Sequence, residues 1–194
     1  MEKANLRRSL LKIRQMLPKS EWREKSIRIC THLKSSTLFQ EAKTVLAYFS
    51  FRQEPDLKPL FKDYSRRWGF PRCVDDSLSW HLWQPGDELE TNKFGILEPL
   101  ANAPNLDPSQ VDLILVPSVA CDVRGYRLGY GAGFYDRLLT LPEWSNKTTI
   151  GIVFEFTYLV EIPIDEWDQS LTGVCTETGL KIVNKYPGEK PNNV

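Results

Sequence analysis

The sequence lacks long apolar runs, an excess of charge of either sign, and paired cysteines. No apolar run among its 194 residues approaches the length of about 18 that a membrane-spanning helix needs. The 25 basic and 25 acidic side chains cancel, which argues against a nucleic-acid-binding protein that relies on bulk positive charge. None of the four cysteines forms a C-x-x-C pair, so a structural zinc site or a disulfide framework is disfavoured. The sequence has only two histidines, which excludes catalytic mechanisms that need several histidine side chains.

What is present is typical of a globular chain, with 41% hydrophobic and 26% charged residues. The length favours a single domain over residues 1–185, followed by a polar, disordered tail at 186–194. The N-terminal segment has no apolar core of a secretory signal. It is basic and amphipathic, but Glu2 and the scarcity of serine count against an organelle transit peptide. We therefore expect a cytoplasmic protein.

Hydrophobic periodicity predicts helices and strands in alternation. Strands are predicted at 44–51, 70–74, 77–83, 111–117 and 148–154, with a strand or hairpin at 174–183, and helices at 6–17, 20–33, 55–68 and 134–141. We expect Ser20 to cap the second helix and Gly69 to end the third. The near-continuous apolar run at 111–117 is typical of a strand covered on both faces. The pattern predicts a three-layer α/β/α sandwich with a largely parallel sheet, which binds ligands at the carboxyl ends of its strands.

A glycine-rich stretch lies between a predicted strand and a predicted helix. It contains Gly125, Gly129, Gly131 and Gly133. Clustered glycines let backbone N–H groups converge and let a phosphate approach closely, and a following helix N-terminus favours an anion. Arg124 and Arg127 add positive charge to the same stretch. This composition predicts a phosphate-binding loop, and the alternative is a tight turn with incidental arginines.

The stretch matches neither of the two common phosphate-binding motifs. No lysine follows the glycines as the P-loop requires, and Phe134 stands where the dinucleotide fingerprint needs its third glycine. Asp136 follows at the start of the helix. A carboxylate there could hold a magnesium ion against a bound nucleotide, or could simply favour the helix dipole.

The run from 112 to 137, DLILVPSVACDVRGYRLGYGAGFYDR, resembles the hallmark of the 5-formyltetrahydrofolate cyclo-ligases. Other segments resemble the same family in the same order, namely KANLR at 3–7, FSFRQEPD at 49–56, FGILEP at 94–99 and the TE pair at 176–177. The resemblance thus spans nearly the whole chain. Ala132 departs from it, because it replaces the middle glycine of the usual run, and alanine fits there only if its φ is negative.

The resemblance implies ATP- and magnesium-dependent cyclisation of 5-formyltetrahydrofolate to 5,10-methenyltetrahydrofolate, with release of ADP and phosphate, through phosphorylation of the formyl oxygen. It also implies the fold that ribose-5-phosphate isomerases and CoA transferases share. Two alternatives are a non-catalytic folate or nucleotide binder, and a sugar-phosphate isomerase or CoA transferase of the same architecture. The partners would be 5-formyltetrahydrofolate and ATP, with no nucleic acid or membrane, and the chain would be a monomer.

The resemblance also assigns residues to roles. It assigns ATP binding to Lys3, Ala4, Asn5, Leu6, Arg7, Arg127, Leu128, Gly129, Tyr130, Gly131, Ala132, Gly133, Phe134 and Tyr135. It assigns folate binding to Phe49, Glu54, Phe94, Tyr130, Gly131, Ala132, Gly133 and Phe134, catalysis to Arg127 and Tyr135, and magnesium to Asp136 and Asp168.

Several of these residues have a plain structural alternative. Lys3 and Arg7 could be solvated charges on an amphipathic helix, Asp168 a surface carboxylate, and Glu54 a solvated loop residue. The aromatic residues Phe49, Tyr130, Phe134 and Tyr135 could be core residues.

Overall fold

A largely parallel sheet organises the part of the chain that the computed structural model describes, residues 2–183. The helices are α1 (Lys3–Gln15), α2 (Lys19–Ser35), α3 (Thr37–Glu41), α4 (Phe134–Thr140) and α5 (Pro142–Ser145). The strands are β1 (Thr44–Leu46), β2 (Arg67–Val74), β3 (Ser77–Leu82), β4 (Leu89–Thr91), β5 (Leu97–Pro99), β6 (Leu113–Pro117), β7 (Ala120–Asp122), β8 (Arg127–Leu128), β9 (Thr148–Ile152), β10 (Tyr158–Leu159), β11 (Gly173–Thr176) and β12 (Gly179–Ile182). The tail predicted at 186–194 lies outside the described residues.

The main sheet has the strand order β12–β11–β9–β6–β1–β2–β3 within the described residues. Its five central strands are parallel, and the two edge strands are antiparallel to their neighbours. Two smaller sheets accompany it, one of order β10–β7–β8 and the hairpin β4–β5. The expected mixed α/β fold with a largely parallel sheet is confirmed.

Alternating side chains of the central strands supply two separate apolar cores. Leu113 and Leu115 of β6 belong to the core that contains residues of α2 and α3. Ile114 and Val116 belong to the core that contains residues of α4 and α5. Because successive strand residues point to opposite faces, apolar residues at every position bury both faces of the sheet. The result is three layers, with helices on either side.

Helix α1 packs against the small sheet instead of the large one. Leu10 lies in a third apolar cluster with Val119, Ala120, Leu128 and Ile162. This packing holds α1 beside the hairpin β7–β8, which leads directly into the glycine-rich stretch. Among residues 2–183, none of the helices has the length and apolar character that a membrane crossing requires.

The helix predicted at 55–68 is wrong, because the chain there folds into successive turns. Asp56 accepts a hydrogen bond from the backbone N–H of Lys58, and Asp63 does so from Ser65. Such short-range bonds to aspartate compete with helical backbone bonding. Leu57, Leu60 and Phe61 are nevertheless buried, whereas Tyr64 is 72% exposed. The chain then runs into β2, so that Gly69 lies inside a strand instead of ending a helix.

Two further boundaries differ from the sequence predictions. Helix α2 begins at Lys19, with Pro18 at the N-cap position and no side-chain cap, so Ser20 lies inside the helix. The strand predicted at 44–51 forms ladder pairs only as β1, up to Leu46. Beyond it the buried chain leaves the sheet and turns at Arg52 and Gln53, which have φ of 47° and 56°.

Candidate functional site

The glycine loop, residues 125–133, includes strand β8 and leads into helix α4. Gly131 has a φ of 105°, and Gly133, at the N-cap of α4, has a φ of 70°. Residues with a Cβ are strained in this region, so these positions favour glycine. Ala132 is absent from the residues with positive φ, so alanine fits there. The loop therefore has the conformation that its glycines permit and leads into a helix as predicted. The short hairpin β7–β8, which the sequence did not predict, follows β6 before the loop reaches that helix.

A largely buried ion pair lies next to the glycine loop. Arg127 Nη2 donates to Asp136 Oδ2 at 2.8 Å, and the Arg127 guanidinium lies 5.3 Å from the centre of the Tyr135 ring. A Cβ at Gly129 would lie only 2.6 Å from Arg127 Nη1. The absence of a side chain at Gly129 therefore leaves room for the guanidinium beside the loop backbone.

Three polar atoms around this ion pair are buried and have no hydrogen-bond partner within residues 2–183. They are Arg127 Nε, Tyr135 Oη and Asp136 Oδ1. A buried polar atom without a partner costs about 1–3 kcal/mol, so such atoms are rare in folded proteins. These three atoms lie close together, next to the glycine loop, and are available for hydrogen bonds to a bound group.

Helix α1 aligns its cationic side chains with the same region. Arg7 Nε donates to the carbonyl oxygen of Gly129 at 2.6 Å, and its guanidinium lies 3.5 Å from the position of a Cβ at Gly131. One turn earlier, Lys3 Nζ lies 2.6 Å from Asp165 Oδ2 and also contacts Asp168. Burial opposes the charge on Lys3, but the bonds to the two aspartates outweigh it and raise the pKa of the ammonium. Lys3 and Arg7 are therefore held in place by defined contacts.

The two carboxylates predicted to bind magnesium engage different cations. Asp136 pairs with Arg127, and Asp168 pairs with Lys3. Residues 2–183 contain no group of three or more His, Cys, Asp or Glu side chains that could hold a metal ion by themselves. Magnesium in nucleotide sites uses one or two carboxylates with phosphates and water, and the unpartnered Asp136 Oδ1 fits that donor set.

Glu54 is a buried carboxylate, only 3% exposed, in the turn that follows β1. Its Oε2 accepts a hydrogen bond of 3.0 Å from the backbone N–H of Phe51. Burial raises the pKa of Glu54 to about 7, against the lowering effects of the Arg14 charge, the Phe51 N–H and the Tyr130 hydroxyl. A carboxyl group with this pKa changes its charge near neutral pH, as functional carboxyl groups often do.

Aromatic side chains connect the Glu54 turn to the glycine loop and to the hairpin β4–β5. The rings of Phe51 and Tyr130 have centroids 6.2 Å apart. Gly95, at the tip of the hairpin, approaches Phe51 so closely that a Cβ there would lie 3.8 Å from the ring. Phe94 beside it is 46% exposed. The hairpin tip and the glycine loop therefore both approach Phe51 of the Glu54 turn.

Phe49, by contrast, lies in the core. Its ring stacks on Phe70 at 4.2 Å and meets Trp83 edge-on at 5.1 Å. This arrangement favours the core role that the sequence left open for it.

A cavity of about 630 Å³ lies on the side of α4 that faces β3. Phe134 and Arg137 form part of its wall, together with Leu78, Trp80 and Trp144. Arg127 and Glu54 do not line it. Phe134 thus faces this cavity, whereas the polar groups described above lie on the glycine-loop side.

Sequence reasoning missed two contributors to this site, Phe51 and Arg14. Phe51 lies in the FSFRQEPD segment already singled out, so its proximity to Glu54 could have indicated it. Arg14 lies on the same stripe of α1 as Lys3 and Arg7, at helical spacing, but nothing in the local pattern shows that it is buried.

Comparison with known proteins places the chain in a family. The model of the 5-formyltetrahydrofolate cyclo-ligase family matches residues 1–177. A curated relative named 5-formyltetrahydrofolate cyclo-ligase from Haemophilus influenzae is 30% identical over 179 residues, covering 88% of this chain and 95% of its own. One of the same name from Escherichia coli K12 is 35% identical over 144 residues, covering 70% of this chain and 78% of its own.

Solved structures agree. The NMR structure of Aquifex aeolicus 5,10-methenyltetrahydrofolate synthetase matches with a TM-score of 0.85 at 32% identity, covering 98% of this chain and 97% of that one. The Mycoplasma pneumoniae synthetase, at 23% identity, shares the fold with a TM-score of 0.73, covering 91% of this chain and 99% of its own. Since the family match extends over nearly all of the described residues, the chain is a ligase that belongs to the 5-formyltetrahydrofolate cyclo-ligase family.

Proposed function

We propose that this chain uses ATP to close 5-formyltetrahydrofolate into 5,10-methenyltetrahydrofolate, with release of ADP and phosphate. The observation that carries the proposal is the buried Arg127–Asp136 pair with unpartnered polar atoms around it, next to a glycine loop. The family and the names of its relatives supply the reaction class. The site supplies an arrangement suited to a phosphoryl group.

The chemistry requires an activated formyl oxygen. A formyl amide carbon is a poor electrophile, and its oxygen is a poor leaving group. Transfer of the γ-phosphoryl group of ATP to that oxygen gives ADP and an activated carbon. The neighbouring folate amine then attacks the carbon and loses its proton, and the formyl oxygen departs as part of inorganic phosphate. Because the attack is intramolecular, the substrate itself supplies most of the proximity.

The protein therefore has to align ATP with the formyl oxygen and to stabilise developing charge. In our proposal the backbone N–H groups of Gly129, Gly131 and Gly133 cradle the phosphates, with the rest of 127–135 around them. Residues 3–7 contact the nucleotide through Arg7, which lies against the loop, and through Lys3, which lies against Asp168. No covalent nucleophile is needed.

Arg127 and Tyr135 are the proposed catalytic groups. The Arg127 guanidinium has a free Nε–H, and Tyr135 has a hydroxyl without a partner, so both can donate to the oxygens of the transferred phosphoryl group. Burial raises the pKa of Tyr135 well above its usual range, so its hydroxyl keeps its proton near neutral pH. It therefore acts as a hydrogen-bond donor.

Asp136 would hold magnesium through its unpartnered Oδ1, with Asp168 as the second proposed carboxylate. When bound, the metal would neutralise negative charge on the phosphates. Asp136 also keeps the Arg127 guanidinium oriented, since the two side chains share a 2.8 Å hydrogen bond.

The folate is proposed to bind where Glu54, Phe94 and Tyr130 face one surface. An ionised Glu54 can accept paired hydrogen bonds from the amine and ring N–H of the pterin. The exposed ring of Phe94 offers an apolar platform for the flat parts of the substrate.

All four cysteines are free thiols, which supports the proposed cytoplasmic location.

A turnover assay tests the proposal directly. Purified protein with ATP, magnesium and 5-formyltetrahydrofolate is followed by the absorbance of the methenyl product, and ADP release is measured in parallel. We expect product only when ATP is present, with one ADP formed for each methenyl product. Ligand binding with no turnover would support the non-catalytic alternative, and turnover independent of ATP would support a different reaction.

A further inference from the structure

Arg14 is a charged side chain that folds into the interior. It is 2% exposed and ranks among the largest fully buried side chains of the described residues. Its Nε donates to the carbonyl oxygen of Arg52 at 3.1 Å, its Nη1 to that of Ser118 at 3.2 Å, and its Nη2 to the hydroxyl of Tyr130. One side chain of α1 thus joins the Glu54 turn, the end of β6 and the glycine loop.

This guanidinium has no carboxylate within ion-pair distance among residues 2–183. A buried cation without a direct counter-ion is costly, so it is retained only where hydrogen bonds and a nearby negative charge compensate it. The carboxylate that senses its charge is Glu54, which is itself buried and lies in the turn whose Arg52 carbonyl accepts from Arg14. The two groups belong to one electrostatic unit.

Other titratable groups that face Glu54 are tyrosines. Tyr130 approaches from the glycine loop, Tyr135 from α4, and Tyr48 from the segment after β1. The pKa of each tyrosine is raised, mainly by burial, so all three remain neutral near pH 7. The ionisation of Glu54 in the neutral range therefore depends on Arg14 as the facing cation.

We propose that Arg14 is a positioning residue of the proposed reaction, which holds Glu54 ionised for the folate and fixes Tyr130 of the glycine loop beside it. The inference rests on the proposed function. It links the folate side of the site to the phosphate side through α1, because the helix that carries Arg7 to the glycine loop also carries Arg14 to the Glu54 turn.

The strained backbone of the turn agrees with this role. Arg52 and Gln53 both have positive φ, a conformation that is unfavourable for a residue with a Cβ and persists only where the surroundings hold it. The bond from Arg14 to the Arg52 carbonyl is one of the contacts that hold the turn. The same turn contains Phe51, whose ring lies against Arg52 and whose backbone N–H donates to Glu54.

The test is the pH dependence of kcat/KM for 5-formyltetrahydrofolate, since this parameter reports ionisations of the free enzyme. The parent should show an acid limb near pH 7. In Arg14→Gln the limb should move up by about one unit or more, the usual effect of removing an opposite charge next to a carboxylate. At pH 7 this lowers kcat/KM roughly fivefold, and the loss should largely disappear near pH 9. Arg14→Lys, which keeps the charge, should keep the limb near its parental position.

Arg8→Gln is the matched control, because Arg8 is an exposed arginine of the same helix. It should leave the profile unchanged. An Arg14→Gln variant that folds but keeps the parental limb, or that loses the same factor at every pH, overturns the proposal. If Arg14→Gln does not fold, Tyr130→Phe replaces it. Tyr130→Phe removes the hydroxyl that favours the ionised Glu54 carboxylate, so it should move the acid limb to higher pH. An acid limb at the parental pH in Tyr130→Phe also counts against the proposal.

Calorimetric titration of 5-formyltetrahydrofolate between pH 6 and 9 separates this inference from the proposed function. Folate affinity should show the same Arg14-dependent shift without any turnover. If folate affinity shifts with pH between the parent and Arg14→Gln, but the parent makes no product, only the proposed function is contradicted. If the parent makes product and Arg14→Gln has the same pH profile as the parent, only the inference is contradicted.

Discussion

Replacement of Arg127 by methionine tests the charge arrangement on which the proposed phosphoryl transfer depends. The side chains of Arg127 and Asp136 are 4% and 18% exposed, and their hydrogen bond is 2.8 Å long. Methionine fills much of the same volume but leaves Asp136 as a mostly buried carboxylate with no cation. Removal of one partner of a buried ion pair costs about 3–5 kcal/mol of unfolding free energy. Because Asp136 keeps some contact with solvent, we expect the lower end of that range.

Activity should fall further than stability alone explains. Loss of one donor to the transition state costs roughly 100-fold or more in turnover. The double variant Arg127→Met/Asp136→Asn removes the unpaired charge, so most of the lost stability should return while turnover stays low. Urea unfolding measures the first quantity and methenyl absorbance the second. Arg28→Ala, an exposed arginine of α2 without an ion pair in the described residues, serves as the control for both.

Either of two results would refute this reasoning. Near-parental turnover in folded Arg127→Met would show that Arg127 does not act on the phosphoryl group. Recovery of turnover together with stability in the double variant would show that the single variant lost activity through a damaged fold.

Further predictions concern the metal, the folate and the loop. Asp136→Asn should raise the magnesium concentration needed for half-maximal rate, and a magnesium titration that overlays the parent's would remove Asp136 from the metal site. Glu54→Gln should raise KM for 5-formyltetrahydrofolate with little change in KM for ATP. It should also abolish the acid limb near pH 7, because that limb reflects protonation of Glu54, whose pKa is about 7. An effect of Glu54→Gln confined to ATP would move Glu54 to the other substrate. Gly131→Ala should raise KM for ATP and lower the unfolding free energy by about 1 kcal/mol or more, because its φ of 105° is unfavourable for a residue with a Cβ. Unchanged ATP kinetics in that variant would mean that the loop conformation does not matter for the nucleotide.

The sequence predicts well those parts of the fold whose burial is visible in a short run of consecutive residues. The apolar run at 111–117 becomes β6, with both faces covered, and the segment at 174–183 becomes the hairpin β11–β12. The segment at 55–68 has an equally clear apolar pattern but no helix. There the side chains of Asp56 and Asp63 bind nearby backbone N–H groups, and most of the apolar residues reach the core from turns.

The same distinction applies to the site. The glycine loop is a local feature, and its position between a strand and a helix follows from about ten consecutive residues. The burial of Arg14 follows from partners 38, 104 and 116 positions away along the chain. The pairing of Lys3 with Asp168 spans 165 positions. Such contacts depend on tertiary packing, so a charged residue on an amphipathic helix gives no local sign of them.

The central claim is that the glycine loop surrounds the terminal phosphates of ATP and directs them at the formyl oxygen. The most direct measurement is a crystal structure with a non-hydrolysable ATP analogue, magnesium and 5-formyltetrahydrofolate. We expect the γ-phosphate within hydrogen-bond distance of the loop N–H groups and Arg127, in line with the formyl oxygen. A triphosphate bound elsewhere, with the loop between Tyr126 and Phe134 free of ligand, would contradict the account.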